Sequence, residues 1–249
     1  MGHIRRRITL LEKANLYYGK MDNFSRSILI NEEKKKYFAV NTDCYNIAVK
    51  DQEYQQILLD SRNEIYVDGA GILMGQKITN SKIAEERIAT TDLFVNLLEK
   101  SSGHTFYLLG GSHGTAEKVI ANMQNKYPNA KFVGSHHGYF EKKNSGDVIE
   151  EINKRNPDIL LIGFGCPIQE KWVTKYFDEI NAINFITCGG LFDYYGENVI
   201  RAPKWMQKLS MEWFFRFLQE PKRLFKRYFI GNTKFLIKAI LKRLKNEKI

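Results

Sequence analysis

Tyr66-Val67-Asp68-Gly69-Ala70-Gly71-Ile72 is the stretch of sequence that decides the fold. An apolar run over residues 65–67 ends abruptly in an acid and glycines, and apolar residues at helical spacing follow from Ile72. This order predicts a strand, a tight turn and the start of a helix. Ligands of open α/β sheets bind at the carboxyl ends of strands. Asp68 is therefore a candidate for chemistry, although Asp before Gly is also common in ordinary turns and helix caps.

The same order of strand, turn and helix recurs along the chain. Strands are predicted over residues 37–40, 64–67, 104–109, 131–134, 158–162 and 184–187. Helical periodicity predicts one helix over residues 43–58 and another over 93–99, the second capped by Thr91 or Asp92. The alternation predicts an α/β fold with a doubly wound, mostly parallel, Rossmann-like sheet.

The 249 residues suffice for one substantial α/β domain and an appendage. Residues 1–36 are polar and irregular, which indicates a mobile N-terminal arm or a poorly packed first element. Residues 37–196 are the predicted α/β catalytic domain. Residues 197–249 are a predicted appendage of basic amphipathic helices, with Pro203 and Pro221 suited to first helical turns, and with a helix end at Gly231-Asn232 before Thr233 caps the next.

The net charge of +10 lies entirely in this appendage. Residues 1–196 hold 24 basic and 24 acidic side chains, whereas residues 197–249 hold 14 basic and 4 acidic ones. A neutral body with a basic tail indicates an anionic partner for the tail. That partner could be a membrane, a nucleic acid or a phosphorylated substrate.

Targeting signals are weak in this sequence. No segment reaches the roughly 18 apolar residues that span a bilayer, and the apolar run after residues 5–7 is too short for a signal peptide. The three cysteines, Cys44, Cys166 and Cys188, are widely spaced and favour a reducing compartment. We expect a cytoplasmic protein, and we give Cys166 and Cys188 little weight as nucleophiles because small residues at such turns usually serve packing.

Polar residues and glycines follow several predicted strands and should meet at one edge of the sheet. They are Asn41, Thr42, Asp68, Gly69, Gly110, Gly111, Gly163, Gly165, Gly189 and Gly190. Glycine lets backbone amides approach a phosphate, and helix N-termini favour its negative charge. A nucleotide or sugar nucleotide is the predicted ligand, although glycine turns are routine in α/β folds and neither GxGxxG nor a P-loop is present.

No metal site is predicted. The histidines lack ligand spacing, and the chain has no DxD pair of the kind that holds a divalent ion on a sugar diphosphate. Arginines are the usual substitute for such an ion. The candidates are Arg87, Arg201, Arg216, Arg223 and Arg227. The simpler alternatives are a surface salt bridge for Arg87 and a solvated helix face for the tail arginines.

Four motifs resemble the WecG/TagA/CpsF family of glycosyltransferases. The first three are Val67-Asp68-Gly69-Ala70-Gly71, Gly163-Phe164-Gly165-Cys166-Pro167-Ile168-Gln169-Glu170-Lys171-Trp172 and Gly189-Gly190-Leu191-Phe192-Asp193. The fourth is Arg201-Ala202-Pro203-Lys204-Trp205, followed by Glu212-Trp213 and Gln219-Glu220-Pro221. The resemblance runs from about residue 41 to residue 235 in the order and spacing of the family.

The resemblance implies inverting transfer of an N-acetylmannosamine-type sugar, or its uronic acid, from UDP. The implied acceptor is N-acetylglucosamine on polyprenyl diphosphate at the cytoplasmic membrane face, for teichoic acid, common antigen or capsule. The base aspartate of the family falls on Asp68, and its active-site asparagine, arginine and glutamine fall on Asn41, Arg87 and Gln169. The resemblance also implies that the basic helices lie on the membrane and that their arginines reach the active site. It implies neither a metal nor another cofactor.

Two other classes of protein stay open. A Rossmann-type oxidoreductase would share the sheet, but the glycine fingerprint of such enzymes is missing. A nucleic-acid binder could use the basic, aromatic tail, but the aromatic residues lie at helical spacing with leucine and isoleucine, as they would for lipid or a core. Away from a membrane, the apolar surface of the tail could also be covered by self-association of the protein.

Overall fold

A computed structural model describes residues 10–197, 199–209 and 211–245. The six strands are β1 (Lys35–Val40), β2 (Asn63–Val67), β3 (Thr105–Gly110), β4 (Lys131–His136), β5 (Ile159–Gly163) and β6 (Asn184–Thr187). They form one sheet in the order β2-β1-β6-β5-β3-β4, and every neighbouring pair is parallel. The predicted doubly wound α/β fold is confirmed.

Helices cover both faces of the sheet. Up to the sixth strand they are α1 (Leu10–Lys13), α2 (Met21–Leu29), α3 (Thr42–Ala48), α4 (Gln52–Leu59), α5 (Ala70–Ile78), α6 (Thr90–Lys100), α7 (Thr115–Gln124), α8 (Gly146–Arg155) and α9 (Ile168–Tyr176). After it come α10 (Leu191–Tyr195), α11 (Lys204–Lys208), α12 (Glu212–Gln219), α13 (Pro221–Phe225), a π-helical segment (Lys226–Asn232) and α14 (Thr233–Leu244).

Two hydrophobic cores follow from the two-residue period of the strands. In β3, Phe106 and Leu108 belong to one core, whereas Tyr107 and Leu109 belong to the other. All four side chains are fully buried. A strand covered on both faces reads as a continuous apolar run, which is why residues 104–109 and 158–162 could be predicted.

The interpretation of residues 1–36 as a mobile or poorly packed element is wrong for the described part of this range. Leu10 and Leu11 of α1 join one core, and Phe24 and Ile28 of α2 join the other with no exposed surface. The sequence of the helix α2 is strongly amphipathic. Its apolar stripe is short and interrupted by polar residues, so the sequence did not predict that this helix would pack against the sheet. Residues 1–9 lie outside the described part.

Three helix boundaries differ from those that the sequence predicts. The helix predicted over 43–58 is two helices, because Asp51 caps α4 by accepting a hydrogen bond from the Tyr54 amide at 3.0 Å. The helix α6 begins at Thr90, and neither Thr91 nor Asp92 is its N-cap. The chain does not end a helix at Gly231-Asn232 but continues through the π-helical segment into α14, so Thr233 is not an N-cap.

Candidate active site

Asp68 lies directly after β2, at the carboxyl edge of the sheet. Its backbone amide donates to the Val40 carbonyl oxygen at 3.0 Å, which ties it to the end of the neighbouring strand. Its Oδ1 accepts a hydrogen bond of 3.0 Å from the Thr90 amide, at the first residue of α6. The other carboxylate oxygen has no hydrogen-bond partner among the described residues. Asp68 thus caps a helix with one oxygen and leaves the second for a ligand.

The environment of Asp68 raises the pKa of its carboxyl. Burial is the largest cause, because the charged form loses its hydration. The Thr90 hydrogen bond lowers the pKa, as do the positive charges of Arg87 and Arg227, whereas the Glu212 charge raises it. A carboxyl with a raised pKa is a stronger base than an exposed aspartate and can take a proton from a hydroxyl group.

Asn41 and Thr42 begin α3 beside this carboxylate. The Asn41 Oδ1 accepts hydrogen bonds from the amides of Asp43 at 3.0 Å and Cys44 at 3.1 Å, so it caps the helix. The turn that follows Asp68 is pressed against it: a methyl group on Gly69 would lie 2.8 Å from the Asn41 Cβ. Glycine is required at residue 69 because only its lack of a side chain allows the two turns to pack so closely. The predicted residues 41, 42, 68 and 69 therefore lie together.

Arg87 lies beside Asp68 and reaches the tail. Its Nη2 is 3.2 Å from the Glu212 Oε2, and the Glu212 Oε1 accepts from the Arg201 Nε at 2.9 Å. Arg201 also pairs with Asp92. A cavity of about 310 Å³ adjoins this network, lined by Arg87, Asp92, Lys204 and Gln207. The Glu212 carboxylate therefore holds two arginines that the sequence predicts would neutralise the negative charge of the substrate diphosphate.

The tail returns to the carboxyl edge of the sheet and docks on α3. The Asn46 Nδ2 donates to the Gly231 carbonyl oxygen at 2.9 Å, and the Thr42 hydroxyl contacts the Asn232 side chain. The Arg227 Nε lies 3.2 Å from the Asp43 Oδ2. These contacts explain why the helix persists past Gly231, and they place the Arg227 charge near Asp68.

The other two predicted tail arginines differ in burial. Arg216 is 6 % exposed, lies over the Tyr194 ring at 5.0 Å and approaches Glu220 at 3.3 Å. Its Nη1 is buried with no hydrogen-bond partner among the described residues, which is the state of a donor that a ligand would satisfy. Arg223 pairs with Glu220, and its side chain is 63 % exposed.

The glycine-bearing strand ends lie against one another. A methyl group on Gly110 would lie 2.5 Å from the Gly163 carbonyl oxygen, and one on Gly163 would lie 2.8 Å from that of Gly189. Only glycine permits this backbone contact. The structure thereby brings together the predicted residues of three loops: Gly110, Gly111, Gly163, Gly165, Gly189 and Gly190.

Gln169, predicted to bind substrate, is buried beneath these loops. It is 3 % exposed. Its Oε1 accepts from the amides of Gly165 at 3.1 Å and Gly189 at 3.2 Å, and its Nε2 donates to the Glu170 Oε1 at 2.8 Å. The side-chain amide of Gln169 thus hydrogen-bonds to both loops and links the ends of β5 and β6.

Sequence reasoning assigned no role to three residues of the site: Thr90, Glu170 and Glu212. Thr90 and Glu212 act through partners 22 and 125 residues away, and no local pattern signals such contacts. Glu170 and Glu212 stand within the quoted motifs, which marked both positions but not their contacts. Among the described residues, no cluster of three or more His, Cys, Asp or Glu side chains could hold a metal, and the absence of a metal stays a prediction.

The parallel sheet, the glycine loops and a half-buried carboxylate near arginines are typical of α/β transferases that act on phosphate-bearing substrates. Comparison with known proteins specifies the class. Residues 13–249 match the model of the "Glycosyl transferase WecG/TagA/CpsF family". The chain therefore belongs to this family and is a glycosyltransferase, which decides among the three classes that the sequence left open.

Characterised relatives cover most of the chain. An N-acetylglucosaminyldiphosphoundecaprenol N-acetyl-beta-D-mannosaminyltransferase of Bacillus subtilis (strain 168) is 34% identical over 211 residues, 84% of this chain and 80% of the relative. The protein of the same name from Bacillus spizizenii is 30% identical over 71% of this chain and 68% of its own. That of Staphylococcus aureus (strain MW2) is 27% identical over 80% and 78%.

Proposed function

We propose that this glycosyltransferase moves an N-acetylmannosamine-type sugar, or its uronic acid, from UDP to N-acetylglucosamine on polyprenyl diphosphate, with inversion. The names of the relatives support the acceptor and the sugar. The observation that carries the mechanism is the half-buried carboxylate of Asp68, on which the positive charges of Arg87 and Arg227 act. A direct displacement at the anomeric carbon needs one such base and no covalent intermediate.

In this mechanism, Asp68 accepts the proton of the acceptor hydroxyl as its oxygen attacks the anomeric carbon. The bond to the UDP oxygen breaks, and the departing diphosphate gains negative charge. Arg87 and Arg227, whose charges already act on Asp68, stabilise that charge, and the buried Nη1 of Arg216 supplies a further donor. A divalent ion is then unnecessary, so we expect transfer to persist in EDTA.

The chemistry of Asp68 is tested with the Asp68→Asn variant. Asparagine keeps a hydrogen-bond acceptor for the Thr90 amide but cannot take a proton. Transfer from UDP-sugars to a polyprenyl-diphosphate-GlcNAc acceptor should fall by about 10²-fold or more, while UDP binding by calorimetry persists. Glu33→Gln, an exposed carboxyl of the body, is the control. Near-normal turnover by the Asp68 variant would remove it as the base.

The tail supports a membrane-surface location at the inner face. Described residues contain no helix long and apolar enough to cross a bilayer. Aromatic side chains instead form one cluster in the tail, where Phe225 and Phe229 stack with ring centroids 5.3 Å apart and Phe229 also contacts Phe217 and Trp213. Lys222 and Lys226, close to Phe225 in the sequence, are exposed. Aromatic and basic residues on amphipathic helices suit an anionic lipid surface.

The membrane proposal is tested by sedimentation with anionic vesicles. Replacing Phe225 and Phe229 with serine removes apolar contact area and should release most of the protein, whereas Ile30→Ser changes an even more exposed apolar residue of the body and should not. Equal sedimentation of both variants would count against the tail as the docking surface.

A further inference from the structure

Gln169 joins two loops that carry the glycines of the site. Its Oε1 accepts two hydrogen bonds, from the Gly165 amide after β5 and the Gly189 amide after β6, at 3.1 and 3.2 Å. Both bonds require the oxygen of the side-chain amide to face the loops. With the amide turned over, Nε2 would face two N–H groups, and three donors would oppose one another in a buried site.

Glu170 decides which way that amide is turned. Its Oε1 accepts from the Gln169 Nε2 at 2.8 Å, and its side chain has no exposed surface. An ionised carboxylate only accepts, and a protonated one still accepts through its carbonyl oxygen. In either state Glu170 holds the nitrogen of Gln169 on its side and so presents the oxygen to the loops.

We propose that Glu170 is a positioning residue, which acts through Gln169 to hold the loops after β5 and β6 in the arrangement that binds the donor diphosphate. This rests on the proposed function. The remaining backbone amides of these loops lie at the carboxyl edge of the sheet, the same edge as the turn that carries Asp68. Their spacing is fixed by the bonds to one oxygen atom, so a change at residue 170 is transmitted to donor binding rather than to proton transfer.

Exchange of the two side chains separates this role from simple packing. In Gln169→Glu, two carboxyl groups meet where one donor is needed. They cannot both ionise, and the one that keeps its proton donates to the other. At a pH high enough to remove this shared proton, the KM for the UDP-sugar should rise about tenfold or more because the donor is then lost, with a smaller change in kcat. In the double variant, Gln169→Glu with Glu170→Gln, the amide introduced at position 170 donates to the carboxylate introduced at position 169, whose oxygens accept from both loops. The double variant should recover most of the wild-type KM.

Single changes at residue 170 complete the series. Glu170→Gln keeps an acceptor for Gln169 and should leave the KM near that of the wild type, whereas Glu170→Met removes the acceptor and should raise it. Hydrogen exchange at the Gly165 and Gly189 amides gives a readout without turnover: protection should fall in Glu170→Met and persist in the double variant. Glu33→Gln, at an exposed carboxyl of the body, should change neither readout.

The outcomes distinguish this inference from the proposed function. Failure of the double variant to improve on Gln169→Glu, with a folded protein and an active wild type, would overturn the positioning role. A wild type that binds no UDP-sugar would overturn the proposed function instead, and the exchange data would still report whether the pair holds the loops.

Discussion

The pH dependence of stability should change when Glu170 is replaced by glutamine. Glu170 is buried without exposed surface, and burial raises the pKa of its carboxyl from 4.5 to about 7, although hydrogen bonds from Gln169 and other neighbours lower it. The ionisable groups that face it are Tyr54, Tyr66, Cys166 and Cys188. The pKa of each is raised. Burial is the largest cause for Tyr54, Tyr66 and Cys188, whereas for Cys166 the largest cause is a hydrogen bond with Cys44. None of these four groups is a cation that would offset an ionised Glu170.

The sign and size of the effect follow from this pKa. Between 4.5 and about 7 the folded state holds a proton that the unfolded state has released, so stability falls as pH rises through this window. The full penalty, about 3 kcal/mol, is reached above pH 7 and follows from the difference between the two pKa values at about 1.36 kcal/mol for each pH unit. About 2 kcal/mol of it develops between about pH 5.5 and 8.

Urea unfolding of the wild type and Glu170→Gln at several pH values measures this contribution. Other groups titrate equally in both proteins, so the stability of the variant relative to the wild type should rise by about 2 kcal/mol from about pH 5.5 to 8. Glu33→Gln, an exposed carboxyl, should run parallel to the wild type. A constant difference between Glu170→Gln and the wild type across this range would refute a buried carboxyl that ionises near neutral pH.

Three further changes test other parts of the site. Removing a positive charge that lowers the pKa of Asp68 should move the acid limb of the kcat/KM profile to higher pH in Arg227→Gln, and an unmoved limb would contradict that assignment. Glu212→Gln leaves Arg87 and Arg201 without their shared carboxylate and should speed tryptic loss of the tail by about tenfold, which corresponds to about 1.4 kcal/mol lost from these partly buried pairs; unchanged cleavage would show that other contacts hold the tail. Gly69→Ala, with its methyl 2.8 Å from the Asn41 Cβ, should lower the melting temperature and transfer together, and a stable, active variant would show that the two turns can separate.

The sheet could be predicted because its signals are local. Continuous apolar runs that end in glycine define β3 and β5, and they placed Asp68, Gly110 and Gly163 at the same edge. The α6 cap could not be predicted in this way. Its first amide is satisfied by Asp68 rather than by Thr91 or Asp92, and only the assembled sheet brings that carboxylate to the helix.

The tail shows the opposite failure, in which a strong local signal gives the wrong boundary. Glycine followed by asparagine is a common helix end, yet here both residues belong to the π-helical segment. The Gly231 carbonyl oxygen accepts from Asn46, and Asn232 contacts the Thr42 hydroxyl. Tertiary contacts with α3 override the local preference, and π-helical turns are frequent at functional sites.

The basic charge of the tail is divided between two kinds of side chain. Two of its arginines turn towards carboxylates of the site: Arg201 to Glu212 and Asp92, and Arg227 to Asp43. Its exposed lysines include Lys222, Lys226 and Lys234. The guanidinium fork suits carboxylate and diphosphate, whereas the ammonium is a hydrated point charge suited to headgroups. The excess of +10 therefore includes inner charges that balance the carboxylates of the site and outer charges on the exposed face, where we propose that anionic lipid binds.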